Sequence, residues 1–152
     1  MSVWPPRLSQ WRSEVENAAL ITGLAPELIA AIIDRESFGG LYLVPPGPTG
    51  TGDNGHGHGL MQVDDRTWPD FCADVATWGN PEANILFGAK LLESYISELG
   101  SVPAGVAAYN AGPGRVQKVV TSMGPDVQAL DQLTTGKNYV SWTLNRCAEL
   151  QS

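Results

Sequence analysis

The chain has 152 residues, 43% of them hydrophobic, a formal net charge of -7 and a sequence pI of about 4.6. This length suits one domain with a sizeable core. The acidity argues against non-specific binding to nucleic acid and gives no long-range attraction to anionic membranes or anionic cell walls. No apolar run approaches the roughly 20 residues of a membrane span, and residues 1–7 lack the apolar core of a secretory signal, so the chain is either made without a signal or is a trimmed form.

Signals for helices dominate the chain. Capping residues and apolar periodicity predict helices over residues 9–22 and 26–38, the first starting at a Ser9 cap and both ended by glycine. A stretch rich in glycine and proline follows over residues 41–59, and residues 59–63 form a candidate strand. The later predicted helices cover residues 65–71, 81–99, 103–109, 115–122 and 137–150, with a loop over 124–135. We therefore predict an α+β fold that is predominantly α-helical, with a small sheet within residues 42–64.

Glu36 ends the second predicted helix and is the first candidate for chemistry. It follows Leu28 and Ile32 at i, i+4 and i+8, so the three side chains share a helix face that the two apolar residues predict to be buried. Partial desolvation and the negative end of the helix dipole both favour the protonated form of its carboxyl group, which is the form that a general acid needs. The alternative is a frayed helix end with a solvated glutamate.

Two aspartates flank the segment that follows this helix. Asp53 lies among glycines, which let the backbone approach a ligand closely, and Asp64 comes directly after the candidate strand. If the segment folds back over the end of the second helix, both carboxylates face Glu36. One protonated and one or two ionised carboxyl groups suffice to cleave a glycosidic bond. The alternative is that Asp53 caps a turn and Asp64 caps the next helix.

The histidines and cysteines give weaker signals. His56 and His58, together with Asp53, offer the donors of a metal site, but alternate residues of an extended chain point in opposite directions. We predict neither a metal nor a cofactor. Cys72 and Cys147 fit no zinc signature, and they form either a disulfide or two buried thiols.

Three further side chains are candidates for sugar contacts. Tyr109 and Asn110 lie at a predicted helix end beside a sharp turn, and Tyr139 lies in the last predicted helix. Such groups can position a sugar or a water. Core packing for the tyrosines and turn formation for the asparagine are the alternatives.

Taken together, these motifs resemble those of the goose-type lysozymes, which belong with the soluble lytic transglycosylases in one structural family. The matching stretches are Asp34-Arg35-Glu36-Ser37, then Gly52-Asp53 with Gly59-Leu60-Met61-Gln62-Val63-Asp64, then Ala108-Tyr109-Asn110-Ala111-Gly112. Tyr139 also matches, and the resemblance covers roughly residues 24–115. Phe38 departs from the family pattern, as does the proline-rich stretch at 45–48.

The resemblance implies a single lysozyme-like catalytic domain over residues 1–152, with the small sheet or loop region beside the catalytic cleft. Glu36 is then the general acid, and Asp53 and Asp64 hold the attacking water for an inverting hydrolysis. The residues expected to contact the substrate are Gln62, His58, Tyr109, Asn110 and Tyr139.

The implied substrate is the glycan strand of peptidoglycan, cut at the β-1,4 bond between N-acetylmuramic acid and N-acetylglucosamine. We expect a monomeric muramidase that acts on the bacterial cell wall, in an extracellular or periplasmic setting, without nucleic acid or membrane insertion. Lytic transglycosylases share the glutamate but generally lack the aspartates, and they release 1,6-anhydro products. Asp53 and Asp64 therefore favour the hydrolase. The remaining alternatives are a chitinase and a non-catalytic wall-binding module.

Overall fold

The computed structural model of the protein describes residues 2–152, so Met1 lies outside the described part. Helices make up most of this part, and its strands form one short antiparallel sheet in the order β1-β2-β3. The predicted fold class, mostly helical with a small sheet, is therefore confirmed. The chain divides into two compact units, residues 1–89 and residues 90–152. None of the helices in the described part is long and apolar enough to cross a membrane.

The first unit begins with α1 (Pro6–Ser9), α2 (Arg12–Thr22) and α3 (Pro26–Ser37). The prediction of one helix starting at a Ser9 cap is wrong, because Ser9 ends α1 and the chain turns at Trp11, which precedes α2 without a side-chain cap. The predicted glycine end of α2 is confirmed by the left-handed backbone of Gly23.

The sheet consists of β1 (Thr51–Gly52), β2 (Gly57–His58) and β3 (Val63–Asp64). Its position within residues 42–64 is as predicted, but the candidate strand over 59–63 is mostly a turn, which ends at Gln62 with a positive φ of 53°. A 3₁₀ turn, Asp53–Gly55, connects β1 to β2.

The segment after the sheet holds a further 3₁₀ turn, Phe71–Ala73, and α4 (Val75–Trp78). The helix predicted over residues 65–71 is wrong, because helix formation starts only at Asp74, whose carboxylate accepts a hydrogen bond from the Ala76 N–H at 3.0 Å. Before that point, the rings of Trp68 and Phe71 both pack against Phe87.

Helix α5 (Pro81–Leu99) has the predicted bounds. Asn80 caps it by accepting a hydrogen bond from the Ala83 N–H at 3.1 Å. Gly88 was expected to mark close packing, and this is confirmed: a Cβ at Gly88 would lie 2.6 Å from the sulfur of Met61. The first unit thus packs α3 against α1 and α2, and its largest fully buried side chains are Leu8, Val15, Ile29, Ile32, Ile33, Leu60, Met61, Val63 and Ile85.

The second unit contains the rest of α5 and four later helices within the described residues: α6 (Val102–Ala111), α7 (Pro113–Met123), α8 (Val127–Asp131) and α9 (Tyr139–Gln151). Helix α6 packs against α7, α8 and α9, and its residues 104–108 are all buried. The predicted loop over 124–135 is wrong in part, because Asp126 caps α8 by accepting a hydrogen bond from the Ala129 N–H at 3.0 Å.

The two cysteines are not joined in a disulfide within the described structure. Both are partly buried. The Cys72 thiol donates to the Val63 carbonyl at 3.6 Å, and burial, reinforced by the charges of Asp65 and Asp64, raises the pKa of Cys72 to about 11. Cys72 is therefore a protonated thiol at neutral pH.

Candidate functional site

Glu36 lies in the last turn of α3, with its side chain partly buried. Leu28 and Ile32, which share its helix face, are 5% and 0% exposed. The prediction that Glu36 sits where the buried face meets the helix end is therefore confirmed. Arg35 occupies the same last turn, where a positive charge interacts favourably with the helix dipole.

A buried ion pair holds the helix turn that carries Glu36. The Asp34 carboxylate, whose side chain is fully buried, accepts hydrogen bonds from Nε and Nη2 of Arg7 at 2.8 and 3.0 Å. This hydrogen bonding raises the pKa of Arg7. The Arg7 guanidinium also lies 4.1 Å from the centre of the Phe38 ring, which stacks on Tyr42. These contacts account for Phe38, rather than a glycine, in the left-handed position that ends α3, with φ of 52°.

Ser37 and Asn84 attach the turn over residues 59–62 to the helices. The Ser37 hydroxyl lies 2.8 Å from the Leu60 carbonyl oxygen, so the segment after β2 folds back over the end of α3. This is the condition under which the two aspartates were expected to face Glu36. The Asn84 side chain, in a residue that is 1% exposed, accepts from the Met61 N–H at 2.9 Å. Its amide nitrogen donates to two further carbonyls, of His58 and Trp78, at 3.0 Å each. Every polar atom of this buried amide is thus used to fix the turn.

Gln62 covers one face of the sheet. Its amide nitrogen donates to the Gly59 carbonyl at 3.0 Å. A Cβ at Gly57 would clash with its Oε1, and one at Gly52 would lie 2.6 Å from the same atom. Gly57 pairs with both Gly52 and Asp64, and residues directly opposite each other point to the same face. The amide of Gln62 therefore lies on the face that Asp64 also presents.

Asp53 and Asp64 meet at this sheet through Arg66. Nη2 of Arg66 donates to Asp53 Oδ2 at 2.7 Å and to Asp64 Oδ2 at 2.8 Å, while its Nε donates to Asp64 Oδ1 at 3.0 Å. The structure thus brings two of the three predicted catalytic acids to one guanidinium. Hydrogen bonding to Arg66 lowers the pKa of Asp64 and raises that of Arg66. Asp64 is consequently ionised at neutral pH.

The capping alternatives for the two aspartates hold only in part. Asp64 Oδ1 accepts from the backbone N–H of Arg66 at 2.8 Å, which is a local turn and not a helix cap. The 3₁₀ turn at Asp53–Gly55 has no side-chain cap, and Asp53 itself has a positive φ of 50°.

His56 and His58 both bind the carboxylate of Asp65. His56 Nδ1 lies 2.9 Å from one oxygen and His58 Nε2 lies 3.1 Å from the other, and these hydrogen bonds lower the pKa of Asp65. The expectation that the two side chains diverge is wrong, because His56 lies before β2 and has a helical backbone after the 3₁₀ turn, so the two histidines are not alternate residues of one extended strand. Within residues 2–152, no group of three or more histidine, cysteine, aspartate or glutamate side chains is arranged to hold a metal ion. His58 also packs edge-on against Trp78, at 4.6 Å between ring centres.

The other predicted contact residues belong to the second unit. Asn110, near the end of α6, accepts from the Thr135 N–H at 2.9 Å and donates to the Thr135 hydroxyl at 3.1 Å. Tyr109 beside it is partly buried. Tyr139, at the start of α9, is 1% exposed, and its backbone N–H donates to the Thr134 hydroxyl at 3.2 Å. Their roles as substrate contacts stay predictions.

Arg66 and Asn84 are the residues that sequence reasoning missed. The stretch Asp64-Asp65-Arg66 carried a signal, since a cation follows two acids. However, the contact between Arg66 and Asp53, which are 13 residues apart, depends on the register of the sheet. Asn84 lies inside an amphipathic helix, and its buried position among apolar neighbours was the available signal.

Comparisons with known proteins identify the relatives of the chain. Residues 13–127 match the transglycosylase SLT domain family. Lysozyme g of Struthio camelus is 39% identical over 102 residues, which cover 60% of this chain and 46% of that protein. Lysozyme g of Gallus gallus is 36% identical over 104 residues, covering 62% and 45%. The chain thus spans about half the length of these lysozyme relatives.

A comparison with solved structures shows the fold. An inactive E503Q mutant of the lytic transglycosylase Slt from Pseudomonas aeruginosa superposes with a TM-score of 0.68 at 24% identity, over 90% of this chain and 23% of that one. The family match covers more than half of the chain, and the motifs around Glu36 and residues 52–64 lie within it. The chain therefore belongs to the transglycosylase SLT domain family, with goose-type lysozymes among its relatives.

Proposed function

We propose that the protein is a muramidase that hydrolyses the β-1,4 bond between N-acetylmuramic acid and N-acetylglucosamine in peptidoglycan. Glu36 is the general acid that protonates the leaving oxygen, and Asp53 and Asp64 hold the attacking water on the opposite face of the sugar. The observation that carries this proposal is the pairing of Asp53 and Asp64 on Arg66. The turn over residues 59–62, which leads to Asp64, contacts the residue next to Glu36 through the hydrogen bond from Ser37 to the Leu60 carbonyl.

The charge state of Asp64 supports its proposed role. Asp64 remains anionic well below neutral pH, because hydrogen bonding to Arg66 lowers its pKa. An ionised carboxylate accepts hydrogen bonds and orients a water, whereas a glycosidic oxygen needs a proton from a neutral acid. An inverting reaction needs the acid and the base about 6.5–9.5 Å apart, which leaves room for the water. We expect a glycan complex to show this separation between Glu36 and the aspartates.

The relatives named lysozyme g support action on the bacterial cell wall, in an extracellular or periplasmic setting. We propose that the partner is the glycan strand of peptidoglycan. We also propose that the protein acts as a monomer and does not bind nucleic acid. Gln62, His58, Tyr109, Asn110 and Tyr139 are the proposed contacts. Gln62 is the best supported of them, because its amide lies on the same sheet face as Asp64.

Product analysis tests the proposal. Purified peptidoglycan is digested with the wild-type protein and with Glu36→Gln, and the soluble fragments are weighed by mass spectrometry. Hydrolysis gives reducing-end products, and an inverting mechanism gives the α-anomer first, which NMR detects. Glu36→Gln should abolish release, since an amide cannot donate the proton. The matched control is Glu16→Gln, at an exposed acid on α2, and it should retain activity. Full turnover by Glu36→Gln would overturn the assignment.

A lytic transglycosylase is the second candidate, favoured by the family match and the fold comparison. Its 1,6-anhydro product is one water lighter than the hydrolysed product, because the sugar's own 6-hydroxyl replaces the water. Anhydro products as the main fragments would support this candidate. Asp53 and Asp64 favour the hydrolase, because a reaction in which the sugar's own 6-hydroxyl attacks needs no pair of carboxylates to hold a water.

A further inference from the structure

We propose that Arg66 is a positioning residue for the attacking water: it fixes Asp53 and Asp64 in one arrangement and leaves Oδ1 of Asp53 to accept the water's hydrogen bond. This inference rests on the proposed function of the site. Arg66 itself touches neither the scissile bond nor the leaving group in this scheme. It acts only through the two carboxylates.

The contacts of Arg66 divide the four carboxylate oxygens unequally. Its Nε and Nη2 form a fork on Asp64, to Oδ1 at 3.0 Å and to Oδ2 at 2.8 Å. Nη2 also reaches Asp53 Oδ2 at 2.7 Å. The hydrogen bonds of the described residues leave Asp53 Oδ1 unused, and the Asp53 side chain is 58% exposed. Asp53 Oδ1 is therefore the oxygen best placed to receive a water.

The backbone around Asp53 explains why its side chain needs a partner that fixes its orientation. Asp53 and Asn54 have positive φ values of 50° and 55°, and Gly55 follows at 90°. This 3₁₀ turn has no side-chain cap. A short glycine-flanked turn gives a side chain little fixed direction, so Arg66 supplies the direction that the turn does not.

The charges of the three side chains also support a positioning role for Arg66. Two carboxylates that contact the same nitrogen would repel each other without it, and the guanidinium removes that repulsion while remaining charged at all working pH values. The arrangement does little for the fold, since ion pairs between exposed side chains contribute little to stability. Arg66 is 55% exposed and Asp53 is 58% exposed. A role in positioning accounts for the cluster better than a role in stability.

Arg66→Met tests this role, with Arg146→Met as the matched control. Arg146 pairs with Glu149 on α9 at 2.7 Å, outside the proposed machinery. We expect Arg66→Met to lower kcat about 100-fold, the size of effect that a misplacement of about 1 Å produces, with KM and the melting temperature nearly unchanged. Arg66→Lys should recover only part of kcat, because a point charge replaces the fork. The control should keep both constants.

A second measurement is an NMR titration, which needs no turnover and is compared with the pH profile of activity. The carboxyl carbons of Asp53 and Asp64 are titrated by NMR in the wild-type protein and in Arg66→Met. Without Arg66, and with Asp65 as a neighbouring negative charge, the pKa of Asp64 should rise, and the acid limb of the activity profile should move to higher pH with it.

The outcomes separate this inference from the proposed function. Unchanged kcat and unchanged titrations in Arg66→Met would overturn the positioning role and leave the muramidase intact. If the wild-type protein releases no fragments, the proposed function fails, and shifted titrations in Arg66→Met would still support the arrangement of the carboxylates. A fall in kcat with an unmoved acid limb and unmoved titrations would also count against the role.

Discussion

The buried amide of Asn84 gives the sharpest prediction about how the site is held. Replacing Asn84 with alanine removes three hydrogen bonds at once, those with Met61, His58 and Trp78. Each backbone group left buried without a partner costs about 1–3 kcal/mol. A water that enters the polar cavity left by the amide would restore some of these hydrogen bonds. We therefore expect Asn84→Ala to lower the free energy of unfolding by about 3–5 kcal/mol.

That loss is a large fraction of the roughly 5–15 kcal/mol that stabilises a typical domain. Urea unfolding followed by tryptophan fluorescence measures it, with the slope checked for a change in cooperativity. Activity on peptidoglycan should fall further than the folded fraction does, because the turn that Asn84 holds carries Gln62 and leads to Asp64. Asn145→Ala, at an exposed position of α9, is the control and should shift stability by less than about 0.5 kcal/mol.

Asn84→Asp refines the test. The aspartate keeps an acceptor for the Met61 N–H but turns a carboxylate oxygen toward the carbonyls of His58 and Trp78, so we expect it to be no better tolerated than alanine. A loss below about 1 kcal/mol in both variants would refute the reasoning. It would mean that the turn over residues 59–62 keeps its conformation without the amide.

Three further predictions concern the surroundings of the site. Gly57→Ala should displace the Gln62 side chain, because the new methyl group would clash with its Oε1, and should cost about 1–3 kcal/mol, measured by urea unfolding together with an activity assay. Asp34→Asn breaks the buried pair with Arg7 and should cost about 3 kcal/mol on the same urea scale, whereas Glu16→Gln, in an exposed pair with 54% side-chain exposure, should cost less than about 1 kcal/mol. Alkylation of Cys72, followed by mass spectrometry, should be slow at pH 8 and accelerate as the pH approaches 11, because its pKa is raised to about 11; rapid labelling at pH 7 would contradict this.

The sequence predicted correctly those elements that have clear capping and helix-ending residues at their own ends. Asn80 followed by Pro81, and Gly100 at the other end, define α5, and the structure places its bounds there. The apolar face that runs from Leu28 to Glu36 was likewise readable from spacing alone. In these cases the residues that decide the structure are neighbours in sequence.

The sequence failed where distant contacts decide. Phe38 ends α3 in a left-handed conformation because Arg7 and Tyr42 hold its ring, which no local rule predicts. In the segment 65–71, Pro69 already disfavours a helix locally, and the packing of Trp68 and Phe71 on Phe87 holds the segment in an irregular path. Helix α8 is five residues long, and its capping residue Asp126 is the one signal for it in the sequence. Short elements are specified mainly by tertiary context.

The same distinction separates the two sides of the proposed reaction. A proton donor must keep one position and one environment, and Glu36 has both from α3, whose apolar face and buried ion pair fix the last turn. The carboxylates proposed to hold the water lie instead on a turn and at a strand end, where the backbone alone fixes little. Their geometry depends on a third side chain, Arg66, on the same segment as Asp64. A change in that segment can therefore alter how water is held while the acid stays in place. If so, substitutions at Arg66 should shift the balance from hydrolysis toward 1,6-anhydro products, because the sugar's own hydroxyl does not need the aspartates.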